Sequence, residues 1–179
     1  MRKELAMHKR KQSGFTLMEV LVATVVLLIG IVAVAQLVPV AVTANNSNRR
    51  DSTASVIAQR ELAQFLQLPM TFAGPFTDAL GNVCNLGDAT QPGVTVGSPL
   101  VVIANRPTIN FTAGKVAGYN FISPVDPEDP YRAQYDVRWA VITSGNGTDA
   151  SSRRFILGAR QINARSYVLP LTLDAMVDR

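Results

Sequence analysis

The chain has 179 residues, long enough for one globular domain plus an anchor, with 17 basic against 13 acidic residues. Five of those basic residues (Arg2, Lys3, Lys9, Arg10 and Lys11) and only one acid (Glu4) precede Gly14, so the rest carries 12 of each sign. The high pI is a property of the first residues and gives no support for a nucleic-acid-binding surface. The single histidine is His8, and beyond Gly14 the only lysine is Lys115. Histidine-based acid–base or nucleophile chemistry and His-ligated zinc are therefore excluded for residues 15–179, and neither a P-loop nor a dinucleotide fingerprint occurs. An enzyme is not expected, and no cofactor.

In chain order, the first element is apolar. Residues 20–48 contain no Asp, Glu, Lys or Arg, and residues 20–35 are nearly all Val, Leu, Ile and Ala. About 20 such residues span a bilayer as a helix. The cations before it keep that side cytoplasmic and predict a periplasmic or exterior C-terminal body. Glu19 sits at the edge of this stretch, where a carboxylate costs up to about 3 kcal/mol at the helix centre and less near its end, so it calls for a partner. Gly30 and Pro39 are weak points: glycine lowers helix propensity, and proline removes a backbone donor and is expected to kink the helix.

The run Gly14-Phe15-Thr16-Leu17-Met18-Glu19-Val20, behind a short basic leader, resembles the N-terminal signal of type IV prepilins and pseudopilins over roughly residues 9–42. The resemblance implies that a membrane-bound prepilin peptidase cuts between Gly14 and Phe15 and N-methylates Phe15. It also implies that Glu19 pairs with the Phe15 α-ammonium of a neighbouring subunit during assembly. The partners implied are other pilin subunits, an inner-membrane assembly platform and membrane lipid, with no nucleic acid bound by this subunit alone. The competing reading is an ordinary secretory signal, for which Ala33-Val34-Ala35 offers a small-residue cleavage site. Against it stand Glu19, placed where the apolar region should begin, and the apolar residues Leu37, Val38, Val40 and Val42 beyond that site.

Residues 43–68 read as an amphipathic continuation of the helix, with Ala54, Ala58, Leu62, Phe65 and Leu66 as its apolar stripe and Pro69 as its stop. Gly, Pro, Asn and Asp crowd residues 73–99, which predicts a loop region with at most short strands. Strands are expected over residues 100–104, 108–113 and 116–122, the last two joined by a Gly114-Lys115 turn. Residues 123–130 contain three prolines and must be a loop. Its acids Asp126, Glu128 and Asp129 supply the oxygen ligands calcium takes, but without EF-hand spacing, so the loop is read as solvated and no metal is expected.

The clearest strands are residues 133–143, with Tyr135, Val137, Trp139 and Val141 on one face and Asp136 and Arg138 on the other, and residues 154–163, with Phe155, Leu157 and Ala159 opposite Arg154 and Arg160. Residues 144–152 form the loop between them. This pair resembles the C-terminal hairpin of minor pilins known as type IV pilus modification proteins. Trp139 is expected in the core, and the lone Cys84 is expected as a small buried hydrophobe. Major pilins often staple this region with a disulfide; one cysteine cannot, which favours a minor pilin or pseudopilin.

The expected architecture is α+β: a leader over residues 1–14, an apolar membrane and filament-core helix over 15–42, an amphipathic helix over 43–68, and a periplasmic β-rich head over 69–179. The head carries an antiparallel sheet of roughly four strands. The expected function is assembly as a minor pilin or pseudopilin of a type IV pilus or type II secretion pseudopilus. The alternative is a membrane-anchored or secreted β-rich binding domain with no filament role.

Overall fold

The computed structural model describes residues 14–125, 127, 132–163 and 169–178. The chain is α+β; the described residues form one long helix, α1 (Leu17–Gln67), followed by nine strands that pair antiparallel throughout. Two compact units divide at Asn46/Ser47. In the first, every described residue from 14 to 45 is exposed. α1 remains helical through Gly30 and Pro39, and the Thr43 hydroxyl donates to the Pro39 carbonyl at 2.8 Å. The helix ends one residue before Leu68-Pro69, where the proline stop was expected.

In the second unit, α1 buries Ala54, Ala58, Glu61 and Phe65, a stripe at spacings of four, three and four. Two members of the expected stripe differ: Leu62 is only half-buried and Leu66 is 39% exposed. The position that completes the buried face is Glu61, a carboxylate that hydropathy alone would place outside. Small side chains at Ala54 and Ala58 let the helix backbone approach the sheet, where the Tyr135 hydroxyl donates to the Arg50 carbonyl at 3.2 Å.

The main sheet is built on β7 (Tyr135–Asn146) and β8 (Asp149–Gln161), the hairpin the alternation predicts. The expected loop at residues 144–152 shrinks to Gly147-Thr148, because both strands continue past a bulge at Ser144/Gly145. On one side β8 pairs with β9 (Leu171–Asp178); on the other, β7 pairs with β3 (Thr95–Gly97) and, further along, with β6 (Asn120–Ile122). The sheet thus has five strands instead of about four. Two further hairpins stand apart: β1 (Pro75–Thr77) with β2 (Val83–Asn85), and β4 (Leu100–Ile103) with β5 (Arg106–Ile109). Ala104-Asn105, both at positive φ, form the turn between β4 and β5. Such a two-residue turn with both φ positive matches the twist of the paired strands. The turn expected at Gly114-Lys115 between the next two strands is not formed: residues 114–116 are irregular and β5 does not pair with β6.

Trp139 is fully buried at the centre of the core, 5.2 Å from the Phe65 ring and 6.2 Å from both Tyr119 and Phe121. Its indole N–H donates to the Asn85 carbonyl at 2.8 Å, which satisfies the one polar group of the side chain. Gly97, with φ of 103°, lets β3 lie against this strand, since a Cβ there would meet the Trp139 carbonyl oxygen at 2.6 Å.

The opposite face of β7, which carries Asp136 and Arg138 as the alternation predicts, is also covered. A second core of Ile109, Phe111, Ala140 and Ile156 forms there, and Asp136 and Arg138 are 1% and 4% exposed. The Arg138 guanidinium binds the Asp136 carboxylate at 2.9 Å and donates to the Ala113 carbonyl at 2.8 Å. Arg160 and Lys115 approach the same carboxylate at 3.6 and 3.7 Å. Phe111 lies under both the Arg138 and Arg160 guanidinium groups, at 5.2 and 4.8 Å.

Two stability measurements follow from this packing. Trp139→Ala should lower the unfolding free energy by about 3 to 5 kcal/mol in denaturant titration, the cost of emptying a large aromatic site. Asp136→Asn should cost about 3 to 5 kcal/mol, because it leaves the buried Arg138 charge without its counter-ion; an effect typical of a surface pair, under about 1 kcal/mol, would refute that role.

Candidate assembly site at the start of the helix

Thr16 organises the first turn of α1. Its carbonyl accepts from the amides of Glu19 at 3.0 Å and Val20 at 3.2 Å, and its hydroxyl receives a longer contact from the Glu19 amide at 3.3 Å. This is an N-cap arrangement that satisfies donors the helix leaves open. Glu19 then falls in the first turn, where the helix dipole favours a negative charge. Phe15, Glu19, Val20, Ala23, Thr24 and Leu27 line one shallow groove along this end. The lining is apolar except for Glu19 and Thr24, whose hydroxyl is turned back onto the Val20 and Leu21 carbonyls at 2.7 and 2.9 Å. Among the described residues no cation lies within ion-pair distance of Glu19.

Gly14 is exposed, and a Cβ built on it meets nothing within 4 Å. Nothing in the fold therefore demands glycine at this position. An 18-residue window of α1 reaches a mean hydropathy of 2.8 with none of it buried, which is long and apolar enough to cross a membrane.

Residues 9–35 match the family described as the prokaryotic N-terminal methylation motif. This match supports a type IV pilin or pseudopilin. No curated protein and no solved structure matches the chain. The pilin-type motif implies processing by a prepilin peptidase and assembly with other pilins, and together with the apolar helix it fits membrane anchoring. The match ends at residue 35, so the resemblance of residues 131–164 to pilus modification proteins is not covered by it.

The head of this pilin-like chain gathers few groups for chemistry. Asp126, Glu128 and Asp129, the calcium candidates, lie outside the described residues, and among the described residues no group of three or more His, Cys, Asp or Glu is arranged to hold a metal. Trp139, being fully buried, offers no face to a ligand. Cys84 is buried as expected, and burial, followed by the charges of Asp78 and Glu61, pushes its thiol up to about 12. A thiol so placed carries almost no thiolate at neutral pH. Hydropathy patterning missed Glu61 and the Asp136 cluster. For Glu61 a signal existed, since it falls three residues after Ala58 and four before Phe65, in phase with the buried stripe.

Proposed function

We propose that this chain is a minor pilin or pseudopilin that inserts into a helical filament through residues 15–42 and presents residues 69–179 as its head. The observation that carries this reading is a carboxylate five residues after Gly14, at the start of a helical stretch that is exposed through residue 45 and uncharged from 20 to 48, with no cation near it among the described residues. Residues 1–14 act as the cytoplasmic leader. The peptidase hydrolyses the Gly14–Phe15 bond, and the new Phe15 amine is methylated while remaining cationic. The absence of any structural need for glycine at 14 supports an external reader of that small side chain.

In the membrane Glu19 lies near the cytoplasmic interface, where water and headgroups reduce its cost. On entering a packed, dry helix bundle an unpaired charge becomes expensive, and the Phe15 ammonium of an adjacent subunit neutralises it. That pair sets the axial register between neighbouring helices. Gly30 and Pro39 are the points at which the helix can bend or locally melt when it leaves the bilayer. The assembly platform of the inner membrane hands the subunit from lipid to filament, and the body faces the periplasm and then the cell surface.

N-terminal sequencing of the membrane-extracted protein should begin at Phe15 with one additional methyl group by mass, and Gly14→Val should accumulate full-length precursor. A terminus at Gln36 would instead show a secretory signal and favour an exported binding domain.

Glu19→Val should leave processing and membrane insertion intact while reducing the amount of this subunit in sheared filaments, or its crosslinking to partner subunits, by tenfold or so, the factor carried by about 1.4 kcal/mol. Normal incorporation beside wild-type partners would eliminate the charge pair.

A further inference from the structure

We propose that Glu61 and Asp78 form a pH-dependent clasp that holds the β1–β2 hairpin against helix α1 when Glu61 is protonated and loosens it when Glu61 ionises. Both carboxyl groups are buried, at 0% and 5% exposure, and they come from different elements: Glu61 from the buried stripe of α1 and Asp78 from the turn between β1 and β2. The side chains lie within hydrogen-bonding reach of one another. Two carboxylates in such a site repel, and one shared proton converts the repulsion into a hydrogen bond.

The surrounding donors decide which group carries that proton. Asp78 receives the amides of Leu80 and Asn82 at 2.9 and 2.7 Å and the Asn82 side-chain amide at 2.7 Å. Glu61 receives only contacts of 3.2 to 3.3 Å, from Arg60 and Gln64. Glu61 is therefore the less compensated of the two carboxyl groups. Gln64 strengthens the link across the two elements, donating to Glu61 at 3.3 Å while its carbonyl oxygen accepts from the Ala79 amide at 3.0 Å.

The charged and titratable groups facing Glu61 are few. Asp78 comes from the turn, the thiol of Cys84 from β2, and Arg60 from its own helix. Burial, and then the Asp78 charge, push the Glu61 carboxyl above its usual range; Arg60 opposes this from a side chain that is 44% exposed and so partly screened by water. A carboxyl raised in the folded state contributes stability that is full below its unfolded value of about 4.3 and is lost as pH rises through the folded value.

The hairpin is otherwise lightly held. Its strands have three residues each, and Phe76 meets the Phe65 and Phe72 rings edge-on at 5.8 and 6.2 Å. Asn85, at the far end of β2, is tied elsewhere, through its amide to Gly118 at 2.7 Å and its carbonyl to Trp139. Loosening is thus confined to β1 and the following turn, and it uncovers Cys84, which pairs in register with Phe76.

Because Cys84 is the only cysteine, a maleimide reports this opening directly. Labelling of the full-length chain in detergent micelles should be followed from pH 5 to 8 and normalised to an unstructured cysteine peptide, which removes the thiolate dependence of the reaction. The normalised rate should rise roughly tenfold over that range in the wild type, a factor corresponding to about 1.4 kcal/mol, and stay flat in Glu61→Gln. Fluorescence of Trp139, the sole tryptophan, should remain constant in the same samples. A flat wild-type profile, a Glu61→Gln profile parallel to it, or a fluorescence change that tracks labelling would each overturn the clasp. Should Glu61→Gln fail to fold, the wild-type rate and fluorescence profiles still decide the matter.

Discussion

An apolar helix surface that its own chain leaves uncovered is the constraint on which the rest of this molecule depends. From residue 14 to 45 every described side chain is exposed, including Leu21, Leu28, Ile29, Val34 and Val38 at half or more of their surface. Each such side chain left in water forgoes roughly 1.5 to 3 kcal/mol relative to burial, so summed over the segment the penalty exceeds what a domain of this size can offset. The surface must lie in lipid or against other helices. A bilayer satisfies the hydrocarbon but makes no use of a carboxylate, whereas a helix bundle can satisfy both if a cation arrives with it. Under the proposed function, Glu19 meets that cation in a second environment after the membrane.

The head must in turn be stable without a disulfide, since Cys84 is alone. It achieves this by covering both faces of β7 and β8. One face takes α1 and the aromatic core around Trp139, and the other takes the β4–β5 hairpin with Ile109 and Phe111. Covering the second face traps Asp136 and Arg138, and they are tolerated because they are paired and because the Ala113 carbonyl takes a further guanidinium N–H. Buried Arg153 is accommodated less completely. It donates to the Phe72 carbonyl at 2.9 Å while its Nε has no acceptor, and burial lowers its hold on its proton.

What could be read from the residues followed the range of the interactions involved. The N-terminal motif, the long helix and its stop at Pro69, the β7–β8 pair and the burial of Trp139 and Cys84 all depend on local pattern or on one strong apolar side chain. Short strands such as β1, β2 and β3 carry three residues each and owe their existence to the partner they meet, which periodicity does not encode. β9 is of a different kind: Leu171, Leu173, Ala175 and Val177 alternate with polar or exposed positions, a strand signature that local pattern does carry. The burial of Asp136 and Arg138 was not legible at all, because alternation identifies two faces and says nothing about whether a distant hairpin will cover the second.

Helix α1 carries two carboxylates in largely apolar settings, and they show two solutions to the same electrostatic problem. Glu61 is enclosed by its own fold, next to another acid, so the cheapest way to relieve its charge is to bind a proton. The relief comes from solvent and depends on pH. Glu19 sits on an open surface at the helix start, where nothing in its own fold encloses it. For a charge that must persist into a dry interface, a proton is a poor answer, because a neutral carboxyl would specify nothing about which neighbour should be there. A fixed cation of defined position supplies both neutralisation and register. On the two proposals made above, the placement of one acid deep in the head and the other at the first turn separates a group that responds to conditions from a group that responds to partners.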